Sequence, residues 1–162
     1  MNEALDPKFE RFLSRPNVAV FAALRPDGFP SLSAVWYEYD SQGVVRVSVT
    51  RERAKYRYAS RDPRVALCVA SHRLPYMEVV LEGHASITED GGPELIARLC
   101  DRYYGGEEGR KYAEYTNEHD ERLVLQFRPS RVRTWDFSSE DDHHRPWGYD
   151  VSGLEAYPGE AP

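Results

Sequence analysis

The chain has 162 residues with 21 Lys and Arg against 27 Asp and Glu, a formal net charge of −6, and this length buries a core without disulfides or a structural metal. An acidic balance with pI near 5.4 excludes general DNA or RNA binding, which needs a broad basic surface to displace counterions. No apolar run approaches the length of a membrane span, and Met1-Asn2-Glu3-Ala4-Leu5 carries an acid where a signal peptide has a basic region, so a cytoplasmic protein without membrane contact is expected.

In chain order, Leu5, Phe9, Phe12 and Leu13 fall on one helical face that Arg15-Pro16-Asn17 ends, which predicts a short amphipathic lid helix. Val18 to Leu24 is an apolar strand, Arg25-Pro26-Asp27-Gly28 a turn, and Ser31 to Tyr39 a second strand. In Pro-Asp-Gly each residue favours the turn for its own backbone reason. A turn at Asp40-Ser41-Gln42-Gly43 leads into Val44 to Thr50, where Val45, Val47 and Val49 alternate with Arg46, Ser48 and Thr50. That period of two is a half-buried strand, and the three strands read as an antiparallel meander.

The most informative stretch follows. Residues 51 to 64 hold Arg51, Arg53, Lys55, Arg57, Arg61 and Arg64 against only Glu52 and Asp62. Six cations against two anions give a local +4 in a chain of net −6, so the positive field is confined to one place. Ser48 and Thr50 end the polar face of the strand that feeds it, and hydroxyls beside a guanidinium and an ammonium suit a phosphate ester. The competing reading is a solvated edge followed by a basic helix, since Arg53, Arg57 and Arg61 are spaced by four.

Asp62-Pro63 stops that helix. Strands are predicted over Arg64 to Ala70 and Glu78 to Ile87, joined by a loop at 71–77. A helix after Pro93 carries the stripe Leu95, Ile96, Leu99 and Tyr103 and ends at Gly105-Gly106. A Tyr-rich segment from Glu107 to Glu121 reads as helical, and strands over Leu123 to Phe127 and Arg131 to Phe137 close the domain. From Ser138 the composition turns to Ser, Asp, Glu, Gly and Pro, giving two regions: a barrel over 1–137 and an extended polar tail over 138–162, with Trp147 and Tyr149 as its docking points. The fold class is mainly β, a closed or split barrel of six to seven antiparallel strands with flanking helices.

No Ser-His-Asp or paired-carboxylate constellation is evident, so no catalytic residue is assigned. Adjacent His143 and His144 point apart on an extended chain and have no second pair at ligand spacing, and no metal site is assigned. Cys68 and Cys100 read as small buried hydrophobes.

The succession Arg25-Pro26-Asp27-Gly28-Phe29-Pro30, Val35-Trp36-Tyr37-Glu38-Tyr39-Asp40, Thr50-Arg51-Glu52-Arg53-Ala54-Lys55 and Arg61-Asp62-Pro63-Arg64-Val65 resembles the pyridoxamine-phosphate-oxidase-like split β-barrel proteins. More narrowly, Arg53-Ala54-Lys55 with Asp62-Pro63-Arg64, and Glu82-Gly83 followed by Ala85 and Thr88, are similar to the deazaflavin-dependent reductases that use coenzyme F420. The resemblance covers about residues 8 to 137. It implies a homodimer with two cofactor sites at the subunit interface, each built from both chains. It places the phosphate on Ser48, Thr50, Arg53 and Lys55, lays the ring along Val35 and Trp36, and closes the site near Tyr76, Met77 and Glu78. Arg51, Arg57, Arg61 and Arg64 exceed what one FMN phosphate needs, which favours the carboxylate-bearing deazaflavin, while some of them are expected to pair with nearby acids.

The implied activity is hydride transfer from reduced F420 to a small unsaturated or conjugated substrate, with Tyr37, Tyr56, Tyr76, His72 or water as the proton source. Two alternatives stay open: an FMN-binding oxidase or reductase of the same superfamily, and a non-catalytic module that binds flavin, deazaflavin or haem.

Overall fold

A computed structural model describes residues 5–72 and 76–137; the predicted tail and its aromatic and histidine residues lie outside them. In chain order the elements are α1 (Pro7–Leu13), β1 (Ala19–Leu24), β2 (Pro30–Val35), β3 (Glu38–Tyr39), β4 (Val45–Val49), α2 (Ala54–Arg61), β5 (Arg64–Ala70), β6 (Met77–His84), β7 (Ser86–Thr88), α3 (Gly92–Tyr103), α4 (Gly106–His119), β8 (Leu123–Phe127) and β9 (Pro129–Asp136). They build two antiparallel sheets, ordered β2-β1-β5-β6-β9 and β3-β4-β8-β7. Their inner faces supply one core: Phe21, Leu67, Val69, Val79 and Leu81 from the first, Val45, Val47, Val49, Leu123 and Leu125 from the second. The architecture is the split β-barrel with flanking helices expected from the strand pattern.

Two predicted strands are each divided between the sheets. Ser31 to Tyr39 is broken at Trp36-Tyr37: β2 pairs with β1 up to Ala19↔Val35, while β3 pairs with β4 through Glu38↔Arg46. The expected three-stranded meander is therefore two hairpins in different sheets. Likewise β6 ends at His84 and β7 starts at Ser86 in the other sheet. Splitting the barrel requires such crossings, and alternation alone does not reveal them because the side-chain period continues across each break.

The N-terminal helix corrects a second expectation. Asp6 caps α1 by accepting from the Lys8 amide at 2.8 Å, and Pro7 occupies the first turn, where a missing N–H costs nothing. Phe12 and Leu13 are buried in the core, so this helix is a permanent wall and not a lid. The Leu13 carbonyl at its end accepts from the Tyr37 phenol at 2.9 Å and from Arg102 at 2.8 Å.

Candidate functional site

Strand β4 positions the site. Its apolar side chains enter the barrel core, so Ser48 must face the other side of its sheet, toward α3. The register Ser48↔Val124 and Val49↔Leu123 lays the end of β4 beside the start of β8, and Val124 packs under Leu95 and Leu99 of α3. Where that cover ends there is a cavity of about 280 Å³, lined among others by Val35, Trp36, Ser48, Lys55, Tyr112 and Arg122.

Its polar groups are short of partners. Ser48 Oγ is buried without a hydrogen bond, a state that costs roughly 1–3 kcal/mol unless a ligand or water completes it. Among the described residues no carboxylate pairs with Lys55 or Arg53. Burial holds the Lys55 ammonium below its usual pKa, and the nearby Arg53 and Arg122 push the same way. The first turn of α2 contains no acid, and no side chain caps it. An uncapped helix N-terminus, the cation of Lys55 and an orphaned hydroxyl, with Arg53 in the adjoining turn, are groups that can bind an anion. A phosphate ester fits this set, because the ammonium, guanidinium and backbone amides only donate and the hydroxyl can turn its proton to a phosphate oxygen.

Four of the nine predicted site residues line this cavity, and two more lie in the turn beside it. Val35, Trp36, Ser48 and Lys55 line the cavity, and Thr50 and Arg53 belong to the turn between β4 and α2. Thr50 is buried, and its hydroxyl is engaged with Glu52, whose carboxyl is held below the usual range first by its own backbone amide and then by Thr50. Tyr76, Met77 and Glu78 do not line this cavity. They lie at the start of β6, where Met77 and Glu78 pair with Asp136 and Trp135, and Glu78 accepts from Cys68 Sγ at 3.6 Å. Burial and then Glu78 raise the Cys68 thiol pKa.

The four further arginines are spent within the chain. Arg51 pairs with Glu89, and with Glu121 at 3.2 Å. Arg57 donates to the Glu52 carbonyl at 2.7 Å, and Arg61 to the carbonyls of Leu24 and Arg25 at 3.1 and 2.8 Å. Arg64 grips Asp62 at 2.6 Å, which pulls that carboxyl down to about 2. The expectation that some of the cluster pairs with acids holds for Arg51 and Arg64, whereas Arg57 and Arg61 are bonded to backbone carbonyls.

Sequence reasoning missed Tyr112 and Arg122. Arg122 precedes β8, and its parity with Val124 was legible; the pairing of β8 with β4, which brings it to Ser48, was not. Trp36 has the company of Tyr103, stacked at 5.0 Å and 9°, with Tyr104 and Tyr112 set edge-on. Tyr37, one of the proton-donor candidates, is fully buried and bonded to Leu13, and burial followed by Tyr103 raises its pKa. It cannot reach a substrate. Tyr56 accepts from Arg51 at 2.9 Å and lines a separate hollow with Glu89.

Residues 5–136 match the family described as pyridoxamine 5'-phosphate oxidase. Among solved structures, an F420 reductase is 27% identical over 80% of this chain and 98% of its own, with a TM-score of 0.65. A conserved hypothetical protein from Mycobacterium tuberculosis is 24% identical over 84% and 87%, with a TM-score of 0.68. The haem storage protein HutZ from Vibrio cholerae is 13% identical over 81% and 94%, with a TM-score of 0.63, and these last two likenesses are of fold alone. With the split barrel, its strand order and a match across nearly every described residue, the chain belongs to the pyridoxamine 5'-phosphate oxidase-like family and resembles its F420-reductase branch.

Proposed function

We propose that this protein is an oxidoreductase that holds a reduced deazaflavin of the F420 kind by its phosphate and passes a hydride to a small unsaturated or conjugated substrate. The observation that carries the reading is the convergence on one cavity of Ser48 Oγ, buried without a partner, with the unpaired Lys55. Similarity to an F420 reductase at 27% identity supports the choice of cofactor.

When bound, the cofactor supplies the hydride, and the protein supplies position and exclusion of water. Lys55, Arg53 and Ser48 are the phosphate ligands in this reading, aided by the free amides that open α2. Val35 and Trp36, which line the cavity, would form the wall for the ring. Tyr103 covers one face of Trp36 and Tyr104 and Tyr112 meet it edge-on, so a ligand would contact only the part of the indole that these three leave.

A homodimer completes the reading. The outer face of the five-stranded sheet carries Val18, Val20, Leu32 and Trp135, which are 44%, 42%, 65% and 43% exposed. Pairing of Ala19 with Val35 and with Val69 places Val18 beside Trp36 and Ala70, so this apolar face runs up to the cavity mouth. A second copy seated on it would cover the apolar surface and close the site with its own residues. Tyr76, Met77 and Glu78 lie along the same sheet and would act in that shared site.

FMN is the second reading, favoured by one observation: Arg51, Arg57, Arg61 and Arg64 have partners within the chain and are not left for a carboxylate tail. Parallel fluorescence titration with F420 and with FMN separates the two. Replacing both Arg53 and Lys55 by Ala is expected to weaken the preferred cofactor at least tenfold, each being a charge-assisted contact of roughly 1.5–3 kcal/mol. Unchanged affinity in a folded double variant ends the phosphate assignment. Tight binding without turnover of any acceptor would instead mark a storage or delivery module.

A further inference from the structure

We infer that Arg122, at the corner between α4 and β8, is a third arm of the phosphate receptor and that Asp120 and Gly92 hold it in position; this rests on the phosphate reading above. The guanidinium is built into its place. Its Nη2 donates to Asp120 at 2.5 Å, while its Nε is buried with no partner beside the cavity that Ser48 and Lys55 also line.

The backbone is fixed as well. A Cβ on Gly92 would lie 1.9 Å from the Arg122 carbonyl oxygen, so the first turn of α3 presses directly on this corner, and only glycine permits the approach. The Asn117 amide reaches the Pro93 carbonyl at 3.4 Å, which ties the same two helices together. Parity does the rest. Leu123 pairs with Val49 and Val124 with Ser48, so Arg122 is on the Ser48 side of the sheet, next to the turn that leads into α2.

Two features set this arginine apart from the cluster at 51–64. It comes from a distant part of the chain, and its buried inner nitrogen has no acceptor while its outer nitrogen is anchored. An anchored guanidinium loses little freedom when it takes an anion, which is why such arginines select phosphate geometry. Lys55 then provides a mobile charge and Arg122 a directed N–H. Bound phosphate would therefore bridge the β4–α2 turn and the α4–β8 corner.

The test compares ligands with and without phosphate on the full chain: FMN against riboflavin, and F420 against its phosphate-free deazaflavin. Wild type, Lys55→Ala, Arg122→Gln and Asp120→Asn are titrated by fluorescence at two salt concentrations. Arg122→Gln is expected to weaken the phosphorylated ligand at least tenfold, to flatten its salt dependence and to leave the phosphate-free ligand within twofold. Asp120→Asn, which acts only through the arginine, should cost about threefold to fivefold on the phosphorylated ligand alone.

Loss in Lys55→Ala with no loss in Arg122→Gln overturns the role of Arg122 and leaves the phosphate reading standing. Loss in neither overturns both. Equal loss for both ligand types assigns Arg122 to structure and also refutes the proposal. Should Arg122→Gln not fold, Arg122→Lys keeps a charge near Asp120 but lacks the Nε donor; undiminished selectivity for phosphate in that variant would count against the inference.

Discussion

The phenol of Tyr37 donates to the carbonyl of Leu13 at 2.9 Å, joining the crossing between the two sheets to the end of the first helix. Arg102 reaches the same carbonyl at 2.8 Å, so that oxygen keeps a partner when the phenol is removed. Tyr37→Phe should therefore cost only about 1 kcal/mol, at the low end for a buried hydrogen bond. Urea denaturation checks it. A loss above about 3 kcal/mol would mean that Arg102 cannot hold the corner alone.

Lys55 should weaken the protein in the absence of ligand. Its pKa is lowered in the folded state, first by burial and then by Arg53 and Arg122, so the unfolded chain binds the proton better. Stability of the ligand-free protein thus rises with pH between the lowered value and the ordinary 10.5, and the penalty is fully present below that window. Lys55→Met is expected to raise Tm slightly near pH 7 while abolishing phosphate-dependent binding. A lower Tm would show that the ammonium is satisfied in the free protein.

The same lysine sets an alkaline limit on binding. A phosphate needs the protonated form, so affinity should fall at a pH lower than an ordinary lysine would give, and phosphate in turn should pull the pKa upward. Titrations from pH 7 to 10 report this. A flat profile with the Lys55→Arg variant, whose charge persists over that range, is the expected contrast.

Gly92→Ala should be severe. A Cβ at 1.9 Å from a backbone oxygen cannot be relieved by a side-chain rotation, so α3 or the corner at Arg122 must move, at a cost of about 3 kcal/mol or more. Thermal unfolding measures the loss, and wild-type stability would show that the corner yields. Gly28→Ala offers a comparison at another glycine: φ is +85° there with nothing near the missing side chain, so the change should cost about 1 kcal/mol through backbone conformation alone.

Charge on the exposed sheet face should disrupt the proposed dimer. Val20→Glu or Leu32→Glu places a carboxylate within the apolar surface while leaving the barrel core untouched. Sedimentation should show monomer in place of dimer, with cofactor affinity falling at the same time if the site is shared. Wild-type protein that sediments as a monomer would remove this part of the reading.

Local patterns made much of the barrel legible. Alternation in Val45 to Val49 and the stripe of Leu95, Ile96 and Leu99 gave β4 and α3 their buried faces, and Pro63 gave the boundary between α2 and β5. Trp36 and Ala85 were opaque because a chain that changes sheets keeps its alternation. The proposed phosphate ligands Ser48, Arg53 and Lys55 lie within eight residues of one another, so their grouping was visible in the sequence. Arg122 is 67 residues from Lys55 and reaches it only through strand pairing, which no local pattern encodes. Among the spare arginines, Arg51 and Arg61 could be counted but not assigned, since their acceptors at Glu89, Glu121 and the Leu24 carbonyl are remote in the chain.

The two-residue crossing at Trp36-Tyr37 also acts as a lock on alignment. Indole and phenol lead to opposite sides there, one to the aromatic group on α3 and α4, the other to the sealed interior. Sliding β2 by a single position would exchange them, exposing the ring whose hydroxyl secures Leu13 and forcing a larger ring into its place. One dipeptide thereby ties the pairing of the first hairpin to the shape of the ligand cavity.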